Sequence, residues 1–311
     1  MSDLFTTIPV APEGFRSGFV ALIGRPNVGK STLMNHLVGQ KIAITSPVAQ
    51  TTRNRLRGVL TTDQVQIVFV DTPGIHKPQH QLGSVLVQNA SSAIRIVDLV
   101  LFVVDGSVPA GRGDAFIADL IQRAGVPTVL GLNKIDRQLP EDAEAIAASY
   151  AQLAGDRDWP LQTFSATTGE GTAALLERLT SALEPGPYYY PPDLITDQPE
   201  RFIMAELIRE QILLQTREEV PHSVAVVIER VEEDPNITRI LAMICVERPS
   251  QKAILIGRGG SMMKAIGSEA RQQMQKLIDG KIYLELFVKV QPKWRQSRSQ
   301  LEELGYRPET E

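Results

Sequence analysis

The segment 24–31 reads GRPNVGKS and fits the phosphate-binding loop pattern G-x-x-x-x-G-K-[ST] at every fixed position. A short apolar run precedes it and a segment with helix-like spacing follows, which is the strand–loop–helix setting that the pattern requires. Glycines let successive N–H groups point at phosphate oxygens, and the helix adds its positive end. Lys30 should reach the terminal phosphates, and the Ser31 hydroxyl should bind Mg²⁺. The predicted nucleotide contacts here are Gly24, Arg25, Pro26, Asn27, Val28, Gly29, Lys30, Ser31 and Thr32.

The first half of the chain alternates short β-branched apolar runs with helix-like segments. This pattern predicts an α/β domain with a mainly parallel sheet and helices on both faces, and ligands bind at the carboxyl ends of such strands. The predicted strands are 19–23, 65–70, 99–104, 128–132 and 161–164, and the predicted helices are 30–38, 83–96, 114–124, 141–153 and 171–183.

A second motif, DTPG, follows the predicted strand 65–70. Asp71 stands where a second carboxylate is needed near Mg²⁺, through a water molecule. Gly74 can present a backbone N–H to a γ-phosphate, and Thr72 and Pro73 complete the predicted contacts. Read alone, DTPG is better explained as an ordinary turn, so its weight comes from the motifs around it.

Two further motifs follow strand ends and indicate guanine. In NKID, the Asp136 carboxylate can accept from two adjacent N–H groups that guanine has and adenine lacks. Asn133 is expected to tie this loop to the phosphate loop, and the Lys134 stem to cover the base. In SAT, Ser165 and Ala166 join the site, with the Ala166 N–H donating to guanine O6. The motifs are weak singly, but their order along the chain predicts a guanine-nucleotide site.

Thr51, Thr52 and Arg53 lie between the phosphate loop and DTPG, within the polar segment 41–57. We expect this segment to be mobile. A threonine here can complete Mg²⁺ coordination while the γ-phosphate is present, which would make the segment a switch. A plain surface loop is the alternative.

No catalytic residue is certain from the sequence. Many GTPases place a glutamine just after DxxG to orient water, but this chain has Ile75 there, so hydrolysis should be slow or depend on another group. The Asn27 carboxamide is a candidate ligand for a monovalent cation such as K⁺ beside the phosphates, with turn capping an equally good interpretation. His76 is better read as a surface histidine than as a base. Thr52 and Gly74 remain candidates for positioning metal, water and γ-phosphate.

Bulk properties set limits on the whole chain. The net charge is −4, but residues 248–298 hold eleven basic and three acidic residues, a balance of +8, against −12 from the 21 basic and 33 acidic residues elsewhere. That asymmetry suggests a segment that meets a polyanion or, equally well, a solvated basic face. Cys245 is the only cysteine, so an internal disulfide is excluded, and we expect it in the core. No apolar run is long enough to span a membrane, and no signal peptide is evident.

The second half begins after a proline-rich segment, EPGPYYYPPDLITDQP, which predicts a semi-extended connector. Beyond it the pattern predicts the order helix, strand, strand, helix, helix, strand. The predicted helices are 201–216, 251–256 and 261–278, and the predicted strands are 223–232, 238–247 and 281–290.

Between two of those helices, GRGG fits the GxxG loop by which KH domains clamp a nucleic-acid backbone. A plain turn between helices is the alternative, but the basic surroundings favour phosphate contacts. The predicted RNA-binding residues are Gly257, Arg258, Gly259, Gly260, Lys264, Lys252 and Arg271.

Taken together, these motifs resemble the Era family, bacterial GTPases with a Ras-like domain and a C-terminal type II KH domain. The resemblance rests on GRPNVGKS, QTTR, DTPGIHKP, NKID, SAT and IGRGGSMMKAIG, and it covers residues 19 to about 294. It implies a GTPase domain at 17–184, a linker at 185–200, a KH domain at 201–295 and a tail at 296–311. It also makes Thr52 the better candidate for Mg²⁺, and the family likewise lacks the catalytic glutamine.

The same resemblance implies partners and a location. Era proteins bind the 3′ end of 16S rRNA and assist assembly of the small ribosomal subunit. A cytoplasmic monomer with peripheral inner-membrane association is therefore the expectation here. Two other hypotheses stay open. One is an RNA-binding assembly chaperone in which GTP is mainly a structural ligand, and the other is an ATP-using P-loop enzyme, which conflicts with Asp136.

Overall fold

A computed structural model of the chain describes residues 8–48, 51–75 and 81–306. Its first half is an α/β domain whose elements follow the predicted alternation. The strands are β1 (Arg16–Ile23), β2 (Leu56–Thr61), β3 (Val65–Asp71), β4 (Leu99–Asp105), β5 (Thr128–Asn133) and β6 (Leu161–Thr163). The helices are α1 (Lys30–Val38), α2 (Gln81–Arg95), α3 (Arg112–Ala124), α4 (Ala143–Ala154) and α5 (Thr172–Ala182).

These strands form one sheet in the order β2-β3-β1-β4-β5-β6, and all its pairings are parallel except that of β2 with β3. Side chains of β1 alternate between two apolar cores, because successive residues of a strand point to opposite faces. Val20 and Leu22 pack with α1 and α5, whereas Ala21 and Ile23 pack with α2, α3 and α4. The prediction of a mainly parallel sheet with helices on both faces is confirmed.

The sequence did not predict β2, which adds an antiparallel edge strand. Its start was hidden in the segment 41–57, which we expected to be mobile. In the structure Ile42, Ile44 and Arg53 of that segment are buried. Ile42 packs in the core of the first domain, whereas Ile44 and Arg53 are buried because the second half of the chain packs against them. Sequence periodicity does not report that contact.

The connector is fastened to the first domain. The buried Gln66 side chain accepts hydrogen bonds from the backbone of Tyr189 and Tyr190 and donates to the Tyr190 carbonyl. Tyr188 and Tyr189 pack on phenylalanine rings of the first domain, with ring centroids 4.4 and 5.0 Å apart. The connector is therefore irregular, as predicted, but its path is fixed by specific contacts.

The second half is a small α+β domain that follows the predicted element order, except that one short helix stands where the first strand was predicted to begin. Its helices are α6 (Glu200–Gln215), the short α7 (Val220–Ser223), α8 (Pro249–Ile256) and α9 (Ser261–Met274), and its strands are β7 (Ala225–Asp234), β8 (Ile237–Val246) and β9 (Lys281–Val290). The sheet order is β7-β8-β9, with β8 antiparallel to β7 and parallel to β9. Within the described ranges, no helix is long and apolar enough to cross a membrane.

The segment predicted as a tail, 296–311, is in part a structured element. A short helix, α10 (Arg298–Glu303), brings Leu301, Leu304 and Tyr306 into an apolar cluster with Trp294. That cluster also contains residues of β7, β8 and α2. Residues up to Tyr306 thus belong to the fold, and α10 is too short for sequence periodicity to reveal.

Candidate functional site

The predicted phosphate loop connects β1 to α1 and borders a cleft of about 510 Å³ at the carboxyl ends of the strands. Gly29 has a φ of +100°, and a Cβ there would lie 2.2 Å from the Asn133 side-chain nitrogen. Only glycine fits, so the loop can curl tightly enough to aim its N–H groups into the cleft. The predicted residues that line the cleft are Pro26, Asn27, Gly29, Lys30, Ser31, Thr32, Thr52, Gly74, Asn133, Lys134 and Ala166.

Lys30 is buried at the base of this loop. Its Nζ donates to the carbonyls of Gly24 and Arg25 at 3.1 and 3.0 Å. Burial lowers the pKa of Lys30 to about 8, and the negative charge of Asp71 partly offsets that effect. An anion in the cleft would oppose the effect of burial, so a phosphate is a fitting partner for this ammonium group.

Ser31, Thr52 and Asp71 form a cluster of oxygens beside the loop. The Ser31 hydroxyl donates to Asp71 Oδ2 at 2.6 Å and lies 2.9 Å from Thr52 Oγ1, which donates to the same carboxylate oxygen at 3.3 Å. Asp71 Oδ1 is buried without a hydrogen-bond partner among the described residues. Burial raises the pKa of Asp71, against the opposing effect of Lys30. Hard oxygen ligands and an orphaned carboxylate oxygen suit Mg²⁺ bound directly or through water.

DTPG packs closely against the phosphate loop. The buried Thr72 hydroxyl donates to the Leu22 carbonyl, so its side chain is structural. A Cβ at Gly74 would lie 2.5 Å from the Pro26 nitrogen, and glycine lets the two loops approach. The side chain of Ile75 is buried and its N–H donates to the Gly24 carbonyl. Ile75 therefore presents no polar group to water, and His76 lies outside the described residues.

Asn133 connects the predicted base loops to the phosphate loop, as we expected. Its Nδ2 donates to the Val28 carbonyl at 2.8 Å, and its Oδ1 accepts from the Ala166 N–H at 2.9 Å. The Ser165 hydroxyl donates to Asp136 Oδ1 at 2.6 Å and orients that carboxylate. These contacts hold the three motifs as one unit at the strand ends.

Two of the predicted nucleotide contacts also have partners within the protein. The Arg25 side chain pairs through Nε with the fully buried Asp114 of α3 at 2.8 Å. The Ala166 N–H donates to Asn133 at the end of β5, and its donation to guanine O6 stays a prediction. Spacing along the chain could not show either of these partners.

One supporting residue was missed from the sequence. Asp105, at the end of β4, pairs with Lys134 at 2.6 Å and accepts hydrogen bonds from Ser107. Burial opposes ionisation, but the Lys134 and Ser107 hydrogen bonds leave the pKa of Asp105 lowered. Lys134 is thus held over the cleft in a left-handed backbone conformation. The sequence signal for Asp105 was a polar residue at the end of β4, the strand next to the one that leads into NKID.

The predicted RNA-binding residues lie around α8 and α9. Gly257 has a φ of +71°, and a Cβ there would lie 2.8 Å from Met262, so the turn requires glycine. A groove of about 930 Å³ runs between these helices and β9, and four predicted residues line it: Gly260, Lys264, Lys252 and Arg271. The other three, Gly257, Arg258 and Gly259, form the turn at its end.

The groove also holds two aromatic side chains that the sequence analysis did not select. Tyr283 and Phe287 are 53% and 40% exposed on β9, which is one of the two edge strands of the second described sheet. Exposed aromatic rings beside basic side chains can stack on unpaired bases. The alternation in KIYLELFVKV, which sets these rings on one face of the strand, was the signal that could have found them.

Comparisons with known proteins agree with this arrangement. The 50S ribosome-binding GTPase family matches residues 19–134, and the KH domain family matches residues 219–295. The chain is 66% identical over 305 residues to the GTPase Era of Rippkaea orientalis, covering 98% of this chain and 97% of that protein. It is 69% identical over 303 residues to that of Nostoc sp., covering 97% and 93%. A crystal structure of Era in complex with MgGDPNP and nucleotides 1506–1542 of 16S ribosomal RNA superimposes with a TM-score of 0.90 at 36% identity, covering 94% of this chain and 99% of that one.

Proposed function

Because the chain belongs to the family of the GTPase Era and is a GTP hydrolase, we propose that it couples a Mg²⁺-dependent nucleotide site to RNA binding in small-subunit assembly. The proposed RNA is the 3′ end of 16S rRNA, and the relative crystallised with MgGDPNP and nucleotides 1506–1542 supports both partners. The observation that carries the proposal is that one chain holds the Ser31–Thr52–Asp71 oxygen cluster and a basic, aromatic-lined groove.

In the nucleotide site, Mg²⁺ would be held by Ser31, Thr52 and Asp71, and it would supply positive charge at the terminal phosphates. Lys30 and the backbone N–H groups of the loop would hold the phosphates. Asp136, oriented by Ser165, would read the guanine edge. Thr52 can contact Mg²⁺ only while the segment that contains it lies beside Ser31 and Asp71. The position of that segment would therefore respond to the presence of the γ-phosphate.

We propose slow hydrolysis, because the buried Ile75 cannot orient water. Asn27 is the candidate for a compensating group. It has a φ of +62°, and its side-chain nitrogen donates to the Pro47 carbonyl at 2.8 Å. After a flip of the amide, the Asn27 side-chain oxygen and the Pro47 carbonyl oxygen could together bind K⁺. The cation would add positive charge beside the phosphates. Higher turnover in K⁺ than in Na⁺, lost in Asn27→Ala, is the expected result.

In the groove, we propose that Lys252, Lys264 and Arg271 contact phosphates while Tyr283 and Phe287 stack on bases. A labelled 16S 3′-terminal oligonucleotide should bind better than a scrambled sequence. Lys264→Ala should weaken binding and lower the slope of log affinity against log salt by about 1. Lys281→Ala is the matched control, because Lys281 is exposed and does not line the groove. Equal binding of the scrambled sequence would count against recognition of the rRNA end.

The assembly-chaperone hypothesis makes a different prediction for coupling. If GTP is mainly structural, the oligonucleotide should change neither the hydrolysis rate nor the affinity for nucleotide. If the two activities are coupled, it should change at least one. Peripheral membrane association, a cytoplasmic location and a monomeric state remain predictions from the family, and flotation with inner-membrane vesicles and light scattering would test the first and last.

A further inference from the structure

One side of α6, in the second domain, faces the nucleotide cleft of the first. Arg209 and Glu210 follow Glu206 by three and four residues, so each is a neighbour of Glu206 on that side of the helix. Leu214, one turn further on, is 51% exposed and lines the cleft. The helix that begins the RNA-binding domain thus borders the nucleotide site directly.

Arg209 is the central contact of this surface. It is fully buried, and its Nη2 donates to the backbone carbonyl of Thr51. Glu206 accepts from the same guanidinium at 2.7 and 2.6 Å and fixes its direction. Thr51 immediately precedes Thr52, so Arg209 holds the backbone from which the candidate metal-binding hydroxyl projects.

Glu210 provides a second tie to the same segment. One of its oxygens accepts from the Thr45 N–H at 2.9 Å, and the other pairs with Lys41 at 2.6 Å. The glutamate is buried, whereas Lys41 is 38% exposed. Two adjacent residues of α6 therefore hold the backbone at Thr45 and at Thr51.

An interface between the two domains built from apolar packing alone would avoid the free-energy cost of burying charged groups. A buried arginine is costly unless its hydrogen bonds are satisfied, and Arg209 Nη1 has no hydrogen-bond partner among the described residues. A second buried arginine, Arg53, lies just beyond Thr52 and donates to the carbonyls of Pro221, His222 and Val224. One buried arginine thus holds the residue before Thr52 and the other is the residue after it, and Thr52 is one of the three candidate metal ligands.

We propose that Arg209, assisted by Glu210, is a positioning residue for GTP hydrolysis, which places Thr52 beside Ser31 and Asp71 from the RNA-binding domain. The inference rests on the proposed Mg²⁺ site. It follows that a shift of the second domain displaces a ligand of the metal, so the RNA-binding domain acts on the chemistry through α6.

The test compares Arg209→Met with Arg201→Met, an exposed position in the first turn of the same helix. Nucleotide affinity is measured for GDP and for a non-hydrolysable GTP analogue across a Mg²⁺ titration, together with kcat. Arg209→Met should bind the GTP analogue about tenfold more weakly, need more Mg²⁺ for half-saturation, and lose about tenfold in kcat. GDP affinity should stay within about twofold, because Thr52 is needed only with the γ-phosphate. Arg201→Met should match the wild type, and Arg209→Lys should recover part of the loss.

A merely structural role would weaken GDP and GTP binding together, and that outcome overturns the proposal. So does an Arg201→Met loss equal to that of Arg209→Met. If Arg209→Met fails to fold, Glu210→Gln carries the test, because it replaces the charged acceptor of the Thr45 N–H by a neutral amide oxygen and removes the carboxylate oxygen that accepts from Lys41 and Gln211. It should show the same selective loss at about threefold, and no change would refute the inference. A wild type without hydrolysis would instead refute the proposed function.

Discussion

Asn133 is the residue whose replacement should most clearly reveal how the site is held together. It is 2% exposed, and its carboxamide joins the phosphate loop at Val28 to the SAT turn at Ala166. Asn133→Ala would leave one buried carbonyl and one buried N–H without partners. Each stranded group costs about 1–3 kcal/mol, so the free energy of unfolding of the first domain should fall by about 2–6 kcal/mol.

Urea unfolding of the nucleotide-free protein measures this loss, with Trp159 fluorescence as the reporter because its ring packs on Phe102 in the first domain. Asn133→Asp is the matched control. It keeps an acceptor for Ala166, but it loses the donor to Val28 and sets a buried carboxylate against that carbonyl, so its destabilisation should be at least as large as that of Asn133→Ala. GDP affinity should fall in the same order, because the phosphate loop loses its tie. A loss below about 1 kcal/mol in Asn133→Ala would refute the bridging role.

Three further predictions concern separate parts of the molecule. Asp136→Asn should shift preference from GTP toward xanthine nucleotides in competition binding, with little loss of stability, and an unchanged preference for GTP would refute base reading by Asp136. Gly257→Asp should reduce affinity for the 3′-terminal oligonucleotide while GTP affinity stays at the wild-type value; loss of both would mean that the second domain had unfolded. Burial raises the pKa of Cys245 to about 11, so the native protein should resist alkylation at pH 8.5. The free energy of unfolding should fall as the pH rises from 9 to 11, because only the thiol of the unfolded chain releases its proton there. Rapid alkylation of the native protein would contradict this.

Local patterns predicted the first domain well because its determinants are local. Helix α1 begins and ends at the predicted residues, since it lies between Gly29 and Gly39, both in left-handed conformations. The nucleotide-binding motifs lie at strand ends because the loops that form the ligand site of a parallel sheet follow the carboxyl ends of its strands. Cys245 is buried, as its apolar neighbours indicated.

Contacts between the two halves could not be predicted in the same way. Arg53 and Arg209 look like solvated charges in the sequence, and charged residues are rarely buried unless paired. Both are buried because they donate to backbone carbonyls more than 150 positions away. Arg209 also pairs with the carboxylate of Glu206, one turn earlier on α6. Likewise, Leu214 becomes part of the cleft only when α6 docks beside it.

The described chain segments on either side of DTPG both rest on the second half of the chain. The segment before DTPG does so through Arg53, and α2, which follows DTPG, does so through Leu82 and Leu86 in the apolar cluster of Trp294 and Tyr306. These two contacts meet, because the Arg53 guanidinium lies 5.9 Å from the centre of the Tyr306 ring. Movement of either segment must therefore break buried hydrogen bonds or expose apolar surface at one shared junction.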